Sequence, residues 1–122
     1  TLPQDEFLRA ELSPYAPEPC SWLRKPRDLA VCFAQRYGVD FNLADRIIQC
    51  ESAWRQYAAN PKSSADSYFQ FIDSTWKTTM IRMGLPLNTD KFELPYSIQA
   101  GVWLLREAGT SPWLASKQCW DK

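Results

Sequence analysis

A chain of 122 residues, 45% of them hydrophobic and 14% aromatic, is of single-domain size with enough apolar mass for a real core. Its 14 basic and 14 acidic residues balance and are interspersed, which argues against nucleic acid or an anionic membrane as the main partner. With no histidine, and with Leu29 to Ala34 as its best candidate apolar run, the chain offers little support for metal or Ser/His and Cys/His chemistry, and none for a membrane-spanning helix.

Residues 1–26 differ in character from the rest of the chain. Glu6 to Leu12 has the pattern of a short helix, but Pro14, Pro17, Pro19 and Pro26 enforce extended or turn structure. The segment reads as an N-terminal extension packed against a domain of residues 27–122. Its one charge cluster, Arg24-Lys25-Pro26-Arg27, reads as a solvated linker. From Arg27 the residues Leu29, Val31, Cys32, Phe33 and Tyr37 predict a helix stopped at Gly38. A second helix, with Asn42 as N-cap, carries Leu43, Ile47, Ile48 and Trp54 at three- and four-residue spacing. After a turn-rich stretch, Tyr68 to Ile72 alternates weakly and reads as a short strand or an extended cleft wall. A third helix is predicted from Thr75 to Met83, ending at Gly84-Leu85-Pro86. A fourth runs from Tyr96 to Glu107 and buries Ile98, Val102, Leu104 and Leu105 before Gly109. Ser111 then caps a short final helix with Pro112 at its first position. The class is mainly α.

Glu51 stands out on the second helix. It falls four residues after Ile47 and three after Ile48, on or beside the apolar face, where partial desolvation disfavours the charged form and raises the pKa toward that of a general acid. The competing reading is a solvated residue at the edge of the stripe, paired with Arg55 four residues on, which would lower the pKa instead.

The next stretch of sequence favours the acid. Glu51-Ser52, Asn60, Gln70-Phe71 and Thr75-Trp76 form a spaced set that resembles the lysozyme-like superfamily, especially the lytic transglycosylases and resuscitation-promoting factors that cut peptidoglycan. The family pattern is roughly Glu-Ser, Asn, Gly-(Leu/Tyr)-x-Gln-Phe, Thr-Trp. Weaker likeness continues through Ile98-Gln99-Ala100-Gly101-Val102-Trp103 and Gly109 to Trp113. The resemblance implies a small lysozyme-like helical domain with no cofactor and no metal, acting on peptidoglycan glycan strands. Glu51 would protonate the leaving oxygen of the β-1,4 bond between N-acetylmuramic acid and N-acetylglucosamine. Sugar rings offer apolar faces to aromatics and hydroxyls to amides, so Asn60, Tyr68, Gln70, Trp76 and Trp103 are candidate substrate contacts. Trp76 and Trp103 also read as core, and Asn60 before Pro61 as a turn residue. Ser52 either orients the carboxylate or bonds the helix backbone.

One position departs from the family. Where it has Gly before Gln, this chain has Ser67, preceded by Asp66. Gly there serves a positive φ or a close backbone approach, and Ser tolerates either less well. Asp66 reads as a solvated loop residue or as a second carboxylate in the cleft. A second carboxylate would let water attack, whereas Glu51 acting alone favours attack by the substrate's own hydroxyl and a 1,6-anhydro product. A non-catalytic glycan-binding or protein-interaction module on the same fold is the rival reading.

Cys20, Cys32, Cys50 and Cys119 lack the close paired spacing of a zinc or redox motif. An even number in a small chain points to two disulfides and a secreted or otherwise extracytoplasmic setting, with three connectivities open on count alone. The resuscitation-promoting factors tie the residue before the acid to the C-terminal end. That resemblance implies Cys50 with Cys119, and so Cys20 with Cys32. No leader segment is visible, and a start at Thr1 is expected of a processed or trimmed chain. A monomer is expected.

Overall fold

The computed structural model describes residues 20–122, so the predicted Glu6 to Leu12 helix lies outside the described residues. The fold is mainly helical. A 3-10 turn, η1 (Cys20–Trp22), leads into α1 (Pro26–Tyr37), α2 (Phe41–Ser52), α3 (Asp73–Met83) and α4 (Tyr96–Ala108). A second 3-10 segment, η2 (Ser111–Ser116), and the short α5 (Lys117–Trp120) complete the order.

Local chemistry sets most of the helix ends. Pro26 opens α1, where its missing N–H is no loss, and Gly38 closes it at φ 70°. The N-cap of α2 is Asp40 rather than the predicted Asn42. The Asp40 carboxylate accepts the Asn42 N–H at 3.0 Å, which places Asn42 inside the first turn. Helix α3 starts at Asp73, two residues before the predicted Thr75. Its first N–H is accepted by Ser64 Oγ at 2.9 Å, a cap supplied from nine residues away. The single final helix predicted after Ser111 is two pieces. Ser111 does not cap them, because its hydroxyl donates to the Ala108 carbonyl at 3.1 Å.

Helix α4 is buried without interruption from Ser97 to Leu105, the mark of a helix packed on every side. Helices α1 and α3 pack against it, while α2 packs on α1 and reaches α5. The face of α1 is Leu29, Ala30, Phe33, Ala34 and Tyr37, and that of α2 is Ala44, Ile47, Ile48 and Ser52. Both follow the spacing that puts side chains on one face of a helix. At Gly101 the central helix meets the Phe69 ring so closely that a Cβ would lie 1.9 Å from Phe69 Cδ2, and only glycine admits the ring.

Of the two readings of Tyr68 to Ile72, a short strand or an extended wall, no continuous strand is seen, and β pairing is confined to a bridge at Phe71. Asp66 and Phe71 exchange both backbone hydrogen bonds at 3.1 Å, so Ser67 to Gln70 become the tip of a tight hairpin. The reason is burial: Tyr68 and Phe69 are both in the core, and alternation along a strand would send one of them to solvent. A further bridge pairs Ala59 with Asp66. Cys20–Cys32 ties η1 to α1, and Cys50–Cys119 ties the end of α2 to α5, with Cα atoms 5.6 and 6.0 Å apart. Both pairings are those the resemblance implied. No helix among the described residues is long and apolar enough to cross a membrane.

Candidate active site

Glu51 occupies the last turn of α2, half-buried. The helix ends one residue later because Ala53 and Trp54 turn left-handed, at φ 53° and 61°, and swing the chain away. Arg55 is thereby kept out of the turn above Glu51. Its Nε donates instead to the Ser52 carbonyl at 2.9 Å, so the intrahelical ion pair considered from spacing does not form. No described Lys or Arg is paired with Glu51, and burial pushes its pKa above the ordinary Glu value. The opposing influence is a close hydrogen bond from the Ser116 hydroxyl to Glu51 Oε2.

Ser116 was not among the residues expected at the site. It reaches Glu51 because the C-terminal arm is fastened at several points. Cys119 is bonded to Cys50, beside Glu51. The Trp113 indole donates to the Phe69 carbonyl and the Trp120 indole to the Trp113 carbonyl, each at 3.0 Å. Arg46 Nε donates to the Trp120 carbonyl at 2.9 Å. A signal existed in the sequence: once Cys50 and Cys119 are paired, a polar residue one turn before Cys119 is brought near Glu51.

The hairpin tip closes the other side of the α2 terminus. Ser52, only 1% exposed, has its hydroxyl 2.8 Å from the Tyr68 carbonyl and 3.1 Å from the Ile48 carbonyl. It lashes helix to hairpin and has no surface to offer a sugar. The Tyr68 ring is also buried, edge-on to Trp54 with centroids 6.1 Å apart, and burial followed by the neighbouring Tyr57 raises its phenol pKa. Gln70 is half-buried at φ 55°, and its amide donates to the carbonyls of Ser67 (2.9 Å) and Ala58 (3.2 Å). It also lines a cavity of about 150 Å³ walled by Ile72, Thr75, Leu104, Pro112 and Trp113. Asn60 lies exposed at the hairpin base, where its side-chain oxygen accepts the Lys62 N–H at 2.8 Å in an Asx turn.

Three candidates are engaged by other partners. Asp66 is no solvated loop residue: its Oδ2 is 3.1 Å from the ammonium of Lys91, which also contacts Asp73 Oδ1 and the Ser64 carbonyl, both at 2.6 Å. Trp76, 5% exposed, packs edge-on against Phe71 and donates its indole N–H to the Thr89 carbonyl at 2.9 Å. Trp103, 4% exposed, lies under the Arg82 guanidinium at 5.1 Å. Both indoles belong to the helical core and present no open face.

The Ser67 departure now has a physical description. Its φ is 69°, the left-handed region that favours glycine, and its hydroxyl is buried without a hydrogen-bond partner. Ser67→Gly is therefore expected to stabilise the protein by about 1 kcal/mol. Relief of roughly 1–2 kcal/mol of backbone strain, plus loss of an unpaired buried hydroxyl, outweighs roughly 0.4–1 kcal/mol of added unfolded-chain entropy. A higher urea midpoint at unchanged slope is the result to look for. A lower one would mean that the hydroxyl has a use.

The domain is small and mainly helical, with a half-buried glutamate, paired with no described cation, in the last turn of a helix that Ser52 ties to the hairpin. The family model described as Transglycosylase SLT domain matches residues 29–112, well over half the chain. The chain belongs to that family of lysozyme-like lytic transglycosylase domains, whose substrate is peptidoglycan. No match was found among curated proteins.

Proposed function

We propose that this protein cleaves the β-1,4 bond between N-acetylmuramic acid and N-acetylglucosamine in peptidoglycan, with Glu51 as general acid and then general base. The observation that carries the reading is the state of Glu51: half-buried, raised in pKa by that burial, and without a paired cation. Such a carboxyl keeps its proton at pH values where an ordinary glutamate has lost it, and can deliver it to the glycosidic oxygen. As the C–O bond breaks, positive charge develops on the sugar left behind. The Glu51 carboxylate, now ionised, then takes a proton from that sugar's own hydroxyl, whose oxygen closes the 1,6-anhydro ring. Glycosidases that use water normally employ a second carboxylate, and the candidate for it, Asp66, is ion-paired with Lys91, which supports transglycosylation. Of the candidate contacts, Gln70 and Asn60 retain accessible surface for glycan hydroxyls, whereas Ser52 and Tyr68 shape the site through the Ser52 hydroxyl and the Tyr68 carbonyl. Two disulfides and a wall polymer as substrate support work outside the cytoplasm.

The test is digestion of purified peptidoglycan with mass spectrometry of the soluble muropeptides. Products lighter by one water than their reducing counterparts are expected. Reducing products that vanish in Asp66→Asn would replace the transglycosylase by a hydrolase. Binding without release of any fragment would leave a glycan-binding module.

A further inference from the structure

We propose that Ser116 is the positioning residue of Glu51, its hydroxyl holding Oε2 as hydrogen-bond acceptor so that the transferable proton resides on Oε1. This rests on the reading of Glu51 as the acid. Ser116 lies beyond residue 112, where the family match ends, so the contact is supplied by the chain's own C-terminal arm.

A serine hydroxyl has one proton to give, and two acceptors surround this one: Glu51 Oε2 and the Trp113 carbonyl at 3.1 Å. When Glu51 is ionised, the charge-assisted bond to Oε2 is the stronger of the two and claims the proton. When Glu51 is protonated, Ser116 still donates to Oε2 if the acid proton is on Oε1. A proton on Oε2 would instead force Ser116 to turn to Trp113. Glu51 Oε1 accepts no hydrogen bond from any described residue, so the oxygen that carries the proton is the one free to meet a substrate. Ser116 therefore keeps its bond to Oε2 in both protonation states, with no movement of the backbone. The arm is rigid enough for this to matter, because the disulfide at Cys119 and three hydrogen bonds from Trp113, Trp120 and Arg46 fix it.

Other ionisable groups on the surrounding elements are engaged elsewhere. On α2, Asp45 pairs with Arg27 and Arg46 bonds the Trp120 carbonyl. Arg55, after α2, bonds the Ser52 carbonyl, and the hairpin contributes the Tyr68 phenol, with the Tyr57 phenol beside it. On α5, Lys117 stands 3.8 Å from Asp121. None of these shifts Glu51; burial and Ser116 do.

The experiment compares wild type, Ser116→Ala, Ser116→Thr and Glu51→Gln. It follows the pH dependence of fragment release and the carbon-13 NMR titration of the Glu51 carboxyl. In Ser116→Ala the anion loses its donor, so the NMR midpoint and the alkaline limb of the rate should both move to higher pH. The maximal rate should fall about tenfold or more with KM little changed. Ser116→Thr, which keeps the hydroxyl, should restore both. If wild type cleaves, Glu51→Gln is dead and Ser116→Ala leaves limb and midpoint in place, the role of Ser116 is overturned and Glu51 stands. If Glu51→Gln is as active as wild type, the reading of Glu51 falls and Ser116 with it.

Discussion

Glu51→Gln is expected to abolish peptidoglycan cleavage and, at neutral pH, to make the protein more stable than the parent. The amide keeps the shape of the carboxyl and can still accept the Ser116 hydrogen bond, but it has no proton to transfer. Loss of a positioned acid–base group typically removes about 10²–10⁴-fold in rate. The stability effect follows from linkage. Burial raises the folded-state pKa of Glu51 above the ordinary value of 4.5, so the folded state binds more protons than the unfolded chain between the two. Stability is thus fully present below the ordinary value and declines as pH rises through the folded-state one. Glutamine escapes that decline. Urea unfolding at pH 4 and pH 7 should show parent and variant equal in acid and the variant ahead at neutrality. A variant that retains most of the activity removes Glu51 from the mechanism. Equal stability at both pH values would mean that the carboxyl is not desolvated.

Removing the Cys50–Cys119 bridge, as a double alanine variant, should give the largest loss of stability. The two cysteines are 69 residues apart, and closing a loop of that length restricts the unfolded chain by about 4 kcal/mol. Cys20–Cys32 spans 12 residues and is worth about 3 kcal/mol on the same basis. The longer bridge also joins the helix of Glu51 to the arm of Ser116. Its removal should therefore shift the alkaline limb of activity in the same direction as Ser116→Ala. Denaturant unfolding and the pH–rate profile check the two halves separately. A loss below about 1 kcal/mol, with the profile unmoved, would show that Trp113, Trp120 and Arg46 dock the arm unaided.

What the sequence determined by itself was local. Gly38 and Gly84 mark helix ends through backbone freedom that glycine carries with it, whereas Pro26, read as extended or turn, is the first residue of α1; three- and four-residue spacing marks the buried faces of α1 and α2. Glu51 was legible for the same reason, since its offset from Ile47 and Ile48 sets its position beside the core. The Ser67 anomaly was legible as an anomaly, and its positive φ is what a glycine position in the pattern would require.

Only the tertiary structure decided which groups meet. Ser64 caps α3 from across nine residues, Lys91 holds Asp66 from the loop before α4, and Ser116 reaches Glu51 across 65. The ordinary helical spacing of Glu51 and Arg55 promised an ion pair that two left-handed residues cancelled. Trp76 and Trp103 were read both as sugar contacts and as core, and burial against neighbouring elements puts them in the core. Backbone preferences and side-chain periodicity act within a turn or two of the chain. The partner of a hydroxyl, a carboxylate or an indole depends on how distant segments close upon one another, and here a disulfide and a buried hairpin tip impose that closure.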